Sequence, residues 1–243
     1  MIISSKSDLG RKREENQDAY AAGELTGGAV YALVCDGMGG AQAGALASSS
    51  TAVKTMRERL LSAYRPGMSD LSIKSLLVST IELANKEIYA LSLSDQANEG
   101  MGTTAVAVIV TEDYAYIAHA GDSRAYRISE GVPIQLTRDH SVVQRMVENG
   151  EITPEEAATH PQKHIITSAL GVENTPKIDF CQEPLEDGEL LLLCTDGLTN
   201  YTTPADLVNC TSDGEYHRYC DRLVDLANSN GGGDNITVVI IEK

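Results

Sequence analysis

Residues 29–40 read AVYALVCDGMGG, an unbroken apolar run (29–35) stopped by Asp36-Gly37 and a glycine-rich turn. A short apolar run bounded by turn residues is the pattern of a buried strand. Downstream, a helix is predicted over about 42–64, with Leu46, Val53, Met56, Leu60 and Tyr64 on one face. A second is predicted over about 70–92, with Ile73, Leu77, Ile81, Ala84, Ile88 and Leu91 at helical spacing. Pro66-Gly67 separates them, as expected of an antiparallel helix pair.

Strand signals then crowd together at 103–110, 115–120, 123–128 and 132–136, separated by short turns, and predict an antiparallel meander. Strands are expected again at 177–182, 189–194 and 235–241, and a helix at about 214–228 with Tyr216, Tyr219, Leu223 and Leu226 on one side. Residues 139–170 are polar, helical in patches, and carry His140, His160 and His164. They read as a surface excursion from a single domain spanning 1–243. The grouping of helix pairs and antiparallel strands predicts an α+β fold, with sheets packed together and helices outside.

The 243 residues, 42% hydrophobic, suffice for a sizeable core. Acids outnumber bases 35 to 19, for a net charge of -16. Such a surface repels nucleic acid and anionic membranes, so neither is an expected partner. No apolar stretch approaches a membrane span, and residues 1–18 contain no apolar signal segment. The five cysteines, Cys35, Cys181, Cys194, Cys210 and Cys220, are odd in number and form no C-x-x-C pair. Cys35 and Cys194 end apolar runs, so buried thiols in a reduced, cytoplasmic protein are expected.

Asp36 and Asp196 each close an apolar run as Asp-Gly, and Asp234 opens the last strand after Gly231, Gly232 and Gly233. Asp122 lies in a Gly-Asp turn between two strands, and Asp18 ends RKREENQD (11–18) before a short strand. If strand ends meet, these carboxylates converge. Clustered carboxylates without a counter-charge carry a desolvation and repulsion penalty of several kcal/mol each. Divalent cations remove it, and an all-oxygen ligand set favours Mg or Mn over Zn. Asp-Gly is also a common turn dipeptide, and spacing alone leaves both readings open.

The motifs resemble, in order and over essentially the whole chain, the metal-dependent type 2C serine/threonine phosphatases in their compact bacterial form. They are SDLGRKREENQD (7–18), VCDGMGG (34–40), MGTTAVAVIV (101–110), AGDSRAY (120–126), LTRDHSVVQRMVENGEI (136–152), ITSALG (166–171), CTDGLT (194–199) and GGGDNITVV (231–239). The resemblance implies a β-sandwich of two antiparallel sheets flanked by helix pairs, with residues 139–170 as a flap. It implies that Asp36 bridges two Mn or Mg ions, with the Gly37 carbonyl on one and Asp196 and Asp234 on the other. Asp18 lies close to the same pair, Asp122 and Asp196 match holders of a third, weaker ion, and Arg13 matches a phosphate-gripping arginine. Asn235 is expected to support Asp234 from behind. The implied reaction is attack on phosphoserine or phosphothreonine by a metal-bridging water or hydroxide, without a phosphoenzyme. Two ions clamp such a phosphoryl group for in-line displacement. The implied partners are phosphoproteins, among them a bacterial serine/threonine kinase, and the implied state is a monomer.

Two departures stand out. Ala41 occupies the place where relatives carry a His thought to protonate the leaving group, which leaves the general acid open. His119 or a metal-bound water are the substitutes considered, although a structural role is expected of His119, and of His140 in the flap. Ser168 stands where relatives often have Arg. Two rival readings stay open: a catalytically silent binding module, favoured by Ala41, and a hydrolase of another phosphate ester. A nuclease is disfavoured by the net charge.

Overall fold

The computed structural model describes residues 1–39, 42–94 and 96–243. Its elements, in chain order, are β1 (Ile2–Asp8), β2 (Asp18–Glu24), β3 (Val30–Met38), α1 (Gln42–Ala63), α2 (Asp70–Ser94), β4 (Gly102–Thr103), β5 (Ala105–Val110), β6 (Tyr114–Ala120), β7 (Arg124–Ser129), β8 (Val132–Gln135), α3 (Val142–Glu148), α4 (Pro154–Thr159), β9 (Asp179–Pro184), β10 (Leu190–Cys194), α5 (Asp196–Thr199), α6 (Pro204–Cys210), α7 (Tyr219–Ser229) and β11 (Ile236–Glu242). One sheet runs β1-β11-β10-β7-β8. The other runs β2-β3-β5-β6-β9, with β4 pairing β3. Every strand pairing is antiparallel.

Why β3 reads as an unbroken apolar run is visible in its two faces. Val30, Ala32 and Val34 pack between the sheets with Val106, Val108, Leu191, Leu193, Val239 and Ile241. The alternate residues Tyr31, Leu33 and Cys35 face the first helix pair, where they meet Met56 and Leu60 of α1 and Leu77 and Ile81 of α2. A strand covered on both faces has no polar side to display, so alternation disappears. β10 obeys the same rule. Leu191 and Leu193 lie between the sheets, while Leu190, Leu192 and Cys194 face Leu207 of α6 and Leu223 and Val224 of α7. The result is the expected four-layer α+β sandwich, helix pair on sheet on sheet on helix pair.

Several boundaries differ from expectation. The 103–110 strand breaks at Thr104, whose N–H and hydroxyl both turn to the Asp36 backbone. The 214–228 helix begins only at Tyr219 and buries Val224 and Ala227, with Leu226 half-buried beside them. Leu91 of α2 is exposed. Three elements were not anticipated, one of them the single turn α5. β1 is an edge strand, IISSKSD, whose exposed residues are Ile2, Ser5 and Lys6. α6 is a short helix started by the Thr203/Asp206 capping box with Pro204 in its first turn. Both cysteines at the ends of apolar runs are buried, and all five are free thiols. No helix among the described residues is long and apolar enough to cross a membrane.

Because all pairings are antiparallel, the start of one strand lies beside the end of the next. The starts of β2, β5, β7 and β11 and the ends of β3, β6 and β10 therefore gather at one edge of the sandwich. Replacing Leu33 or Leu193, each fully buried on a different side of its sheet, by Ala is expected to lower unfolding free energy by about 2–5 kcal/mol in urea titrations. A loss below about 1 kcal/mol at both would contradict the doubly covered sheets.

Candidate metal centre

The register of β2 against β3 sets Asp18 directly opposite Asp36. Asp196, first residue of α5, follows Cys194 and Thr195 at the end of β10, and Asp234 lies two residues before β11. Asp122 follows the end of β6. Asp36, Asp122, Asp196 and Asp234 line one cavity of about 520 Å³, together with Arg13, Gly37, His164, Ile166, Asn200 and Tyr201. Asp18 is buried behind them. The expected five acids thus come together, with Arg13 beside them.

Their electrostatics is that of crowded like charges. Burial pushes the Asp36 carboxyl well above the usual range, and Asp18, Asp196, Asp122 and Asp234 each push it further. Asp18 is raised to about 7 by burial, opposed by hydroxyls from Thr237 and Thr195 and reinforced by Asp196 and Asp234. Asp122 is raised to about 7 by burial and by Asp196. Asp196 is raised by burial and by Asp234, while the His164 imidazole acts in the opposite sense.

The surrounding donors show which atoms are left over. Thr237 and Thr195 donate their hydroxyls to the same oxygen, Asp18 Oδ2, at 2.7 and 2.9 Å. Since the Thr237 proton is spent there, Ser7 must donate to Thr237 Oγ1 (2.8 Å), and Asn16 Nδ2 donates to Ser7 (2.9 Å). This relay keeps Oδ2 an acceptor and leaves Asp18 Oδ1 buried without any partner. Asn200, one helical turn past Asp196, donates to Asp196 Oδ2 at 2.9 Å, and Asp196 Oδ1 is likewise buried and unpartnered. Buried carboxylate oxygens rarely lack a partner. Two of them in one acidic cavity fit cation ligands, and an all-oxygen donor set suits Mg or Mn.

Backbone closeness contributes too. A side chain at Gly37 would put its Cβ 2.2 Å from the Ala45 carbonyl oxygen and 2.6 Å from that of Gln17, so only glycine lets the chain pass here. Gly232 takes φ 51°, a left-handed conformation, just before Asp234.

Arg13 donates to Asp234 Oδ2 at 2.8 Å. Asn235 meets Asp234 only through its backbone N–H (2.8 Å). Its side chain instead grips the Arg13 loop. Oδ1 accepts from the Gln17 N–H, and Nδ2 donates to the carbonyls of Leu9 and Glu15. Sequence reasoning did not identify Thr195, Thr237 and Asn200. Only Asn200 carried a signal, its helical i+4 spacing from Asp196 in TDGLTN.

His119 is buried away from this cavity, and its Nε2 donates to the Arg138 carbonyl. Its ring stacks on His140 at 4.9 Å between centroids. His140 Nδ1 accepts the Gly121 N–H and its Nε2 donates to Asp179 Oδ2 at 3.0 Å, while its backbone N–H bonds the Gly121 carbonyl. His140 therefore ties the Gly121-Asp122 turn to the 139–170 segment. His119, His140 and Asp179 offer ligand atoms within 4.8 Å of one another. Both His140 ring nitrogens are already engaged, by the Gly121 N–H and by Asp179, and the Lys177 ammonium sits 3.0 Å from Asp179 Oδ2. This cluster is a clasp rather than an ion site. Arg124 is partly exposed and forks onto Asp139. Arg127 donates to the Pro184 carbonyl. Ser168 exchanges hydrogen bonds with the backbone of Lys177. Ala41 lies outside the described residues.

The family described as Protein phosphatase 2C matches residues 10–235. The chain is 39% identical to the serine/threonine phosphatase stp of Listeria innocua, over 100% of this chain and 96% of that one. It is 37% identical to the protein phosphatase PhpP of Streptococcus pneumoniae, covering 99% and 97%. Among solved structures it superposes on the S. agalactiae serine/threonine phosphatase with a TM-score of 0.92 at 36% identity, covering 100% and 99%. With the PstP catalytic domain in complex with two manganese ions the TM-score is 0.85 at 30% identity, covering 99% and 97%. A family match across nearly the entire chain, on the fold and acidic cluster described above, means that this chain belongs to the protein phosphatase 2C family.

Proposed function

We propose that this chain is a metal-dependent phosphatase of phosphoserine and phosphothreonine in proteins, and that Asp36 is its central, bridging ligand. The observation that carries this reading is the convergence of five carboxylates, two with buried unpartnered oxygens, beside a single arginine. Asp36, the Gly37 carbonyl, Asp196 and Asp234 would hold two Mn or Mg ions, with Asp18 close behind and Asp122 joining Asp196 on a third, weaker one. When bound, these ions supply charge neutralisation, a clamp on phosphoryl oxygens and an activated water.

The protein's own residues do the rest. Arg13, its guanidinium anchored by Asp234, offers a planar fork for two phosphoryl oxygens. The Asn235 side chain fixes the loop that carries it. The threonine relay orients Asp18, and Asn200 orients Asp196. Residues 139–170 act as a flap over the cavity, reaching it through His164 and Ile166. The larger adjoining cavity, of about 830 Å³, shares Asp122 and Asp196 and is walled by α3 and α4. It has room for substrate chain beyond the phosphoryl group. Buried free thiols suit a reducing, cytoplasmic setting. A bacterial serine/threonine kinase is the proposed source of the substrates, and a monomer the proposed state.

Wild-type protein with Mn is expected to hydrolyse p-nitrophenyl phosphate and a phosphothreonine peptide, and to stop in EDTA. Asp36→Asn and Asp234→Asn should lose cation binding in calorimetry and turnover together. Thr237→Val, which removes one donor from Asp18, should weaken cation affinity by roughly 10–100-fold, as loss of an outer partner does. Activity that survives full chelation, or Asn variants with wild-type affinity and rate, would end the reading.

A pH effect follows from the raised carboxyls. Asp18 and Asp122 hold protons up to about 7 in the folded chain but release them in the ordinary carboxylate range when unfolded. The folded state then binds more protons than the unfolded one between about pH 4 and 7, so stability falls as pH rises through that window. Cation-free protein should melt at a lower temperature near pH 8 than near pH 5, and saturating Mn or Mg should reverse the loss at pH 8. A cation-free melting temperature that rises over this range would refute the account.

A further inference from the structure

Cleaving a serine or threonine phosphate expels an alkoxide, a strong base, and a positioned proton donor speeds such a step by about 10²–10⁴-fold. Position 41 carries Ala, which has no proton to give. Of the five histidines, four are committed elsewhere or lie off the cavity. His119 is buried against the Arg138 carbonyl and His140 is held by Gly121 and Asp179. His160 accepts the Gln162 N–H on the surface, and His217 lies in the turn before α7. The cavity with the acids contains one imidazole, that of His164.

His164 is exposed, and its imidazole acts electrostatically on Asp196 across the cavity. Its backbone is nevertheless well placed. The next residue, Ile165, accepts the Val142 N–H at 2.9 Å, and Ile166 bridges Ser141 in antiparallel fashion. Ser141 follows His140, whose ring and backbone grip the Gly121-Asp122 turn. One short ladder therefore sets His164 and Asp122 on the same cavity. Cations on the carboxylates would keep those ionised, and the other side chains lining the cavity that carry a proton are poorer donors. A guanidinium does not give up its proton, and a phenol such as that of Tyr201 does so less readily near neutrality than an imidazolium.

We propose that His164 is a catalytic residue, the general acid that protonates the departing seryl or threonyl oxygen. This rests on the phosphatase reading above. The attacking water oxygen forms a new bond to phosphorus, and the bond from phosphorus to the side-chain oxygen breaks with its electron pair passing to that oxygen. The imidazolium N–H proton moves to the same oxygen, so the product leaves as a neutral alcohol and the ring is left neutral. The ring then regains a proton from solvent, balanced by the one that the attacking water releases.

The test compares two leaving groups in wild-type, His164→Ala and His164→Gln proteins loaded with Mn. p-Nitrophenol leaves as a stable phenolate and needs no proton, whereas serine does. Both variants should lose about 10²-fold or more in kcat on a phosphoserine peptide and keep most of the p-nitrophenyl phosphate rate. Their Mn affinity by calorimetry should match wild type. Undiminished peptide turnover would overturn the assignment, as would an equal loss on both substrates or a matching loss of Mn affinity, either of which marks a structural role. Wild-type protein inert toward both substrates would instead sink the phosphatase reading, and this role with it.

Discussion

Five carboxylates held against their own repulsion are the constraint around which the rest of this molecule is arranged. Asp18 and Asp36 face each other across an antiparallel register that cannot slip by one residue without turning Leu33 and Val34 to the wrong faces. The apolar packing of the sheets therefore imposes the crowding, and the acids have no freedom to relieve it by moving apart. Two like charges about 5 Å apart repel by about 3 kcal/mol at an effective dielectric constant of 20. Several such pairs would exhaust the margin of an ordinary domain. Protonation relieves the strain at low pH, and divalent cations relieve it at neutral pH.

The partners of these acids divide into two kinds. The hydroxyls of Thr195 and Thr237 and the amide of Asn200 orient carboxylates without adding charge. Arg13 is the only guanidinium on the cavity among the described residues, and it is partly exposed and already bound to Asp234. A neutralising set of internal salt bridges is thus missing where it would matter most. By contrast Arg124, a few residues from Asp122, is forked onto Asp139 instead of the cluster. Cation binding is left as the remaining source of counter-charge.

How much of this was legible in the sequence differs by element for physical reasons. β3 and β10 announced themselves because both faces are covered, and the acids at their ends followed from the Asp-Gly stops. β1 was silent, since IISSKSD carries only two apolar residues, adjacent at its start, and is defined by its pairing to β11. α6 was silent for its brevity, although its capping box was readable in TPAD. Thr195 and Thr237 were missed because a hydroxyl acts by where its strand neighbour points, and that is a property of register between residues 42 positions apart. Asn235 was singled out as a support of Asp234, but its side chain serves the Arg13 loop instead. His119 reads as structural from its alternating strand, and it is buried against the Arg138 carbonyl and the His140 ring, the latter a contact made across the fold.

The charge pattern also dictates an order of events. With cations absent, a phosphoryl dianion approaching this cavity meets the carboxylates of Asp36, Asp122, Asp196 and Asp234 against one guanidinium, on a chain of net charge -16. Long-range steering then works against the substrate, and more so at low ionic strength. Cations feel the opposite field and are drawn in. With Asp18 behind the cavity counted, five carboxylates face one guanidinium, so two divalent cations would bring the cluster to about neutral and lift the repulsion. The same acids that repel phosphate therefore gather the cations that would admit it, and cation entry would precede substrate.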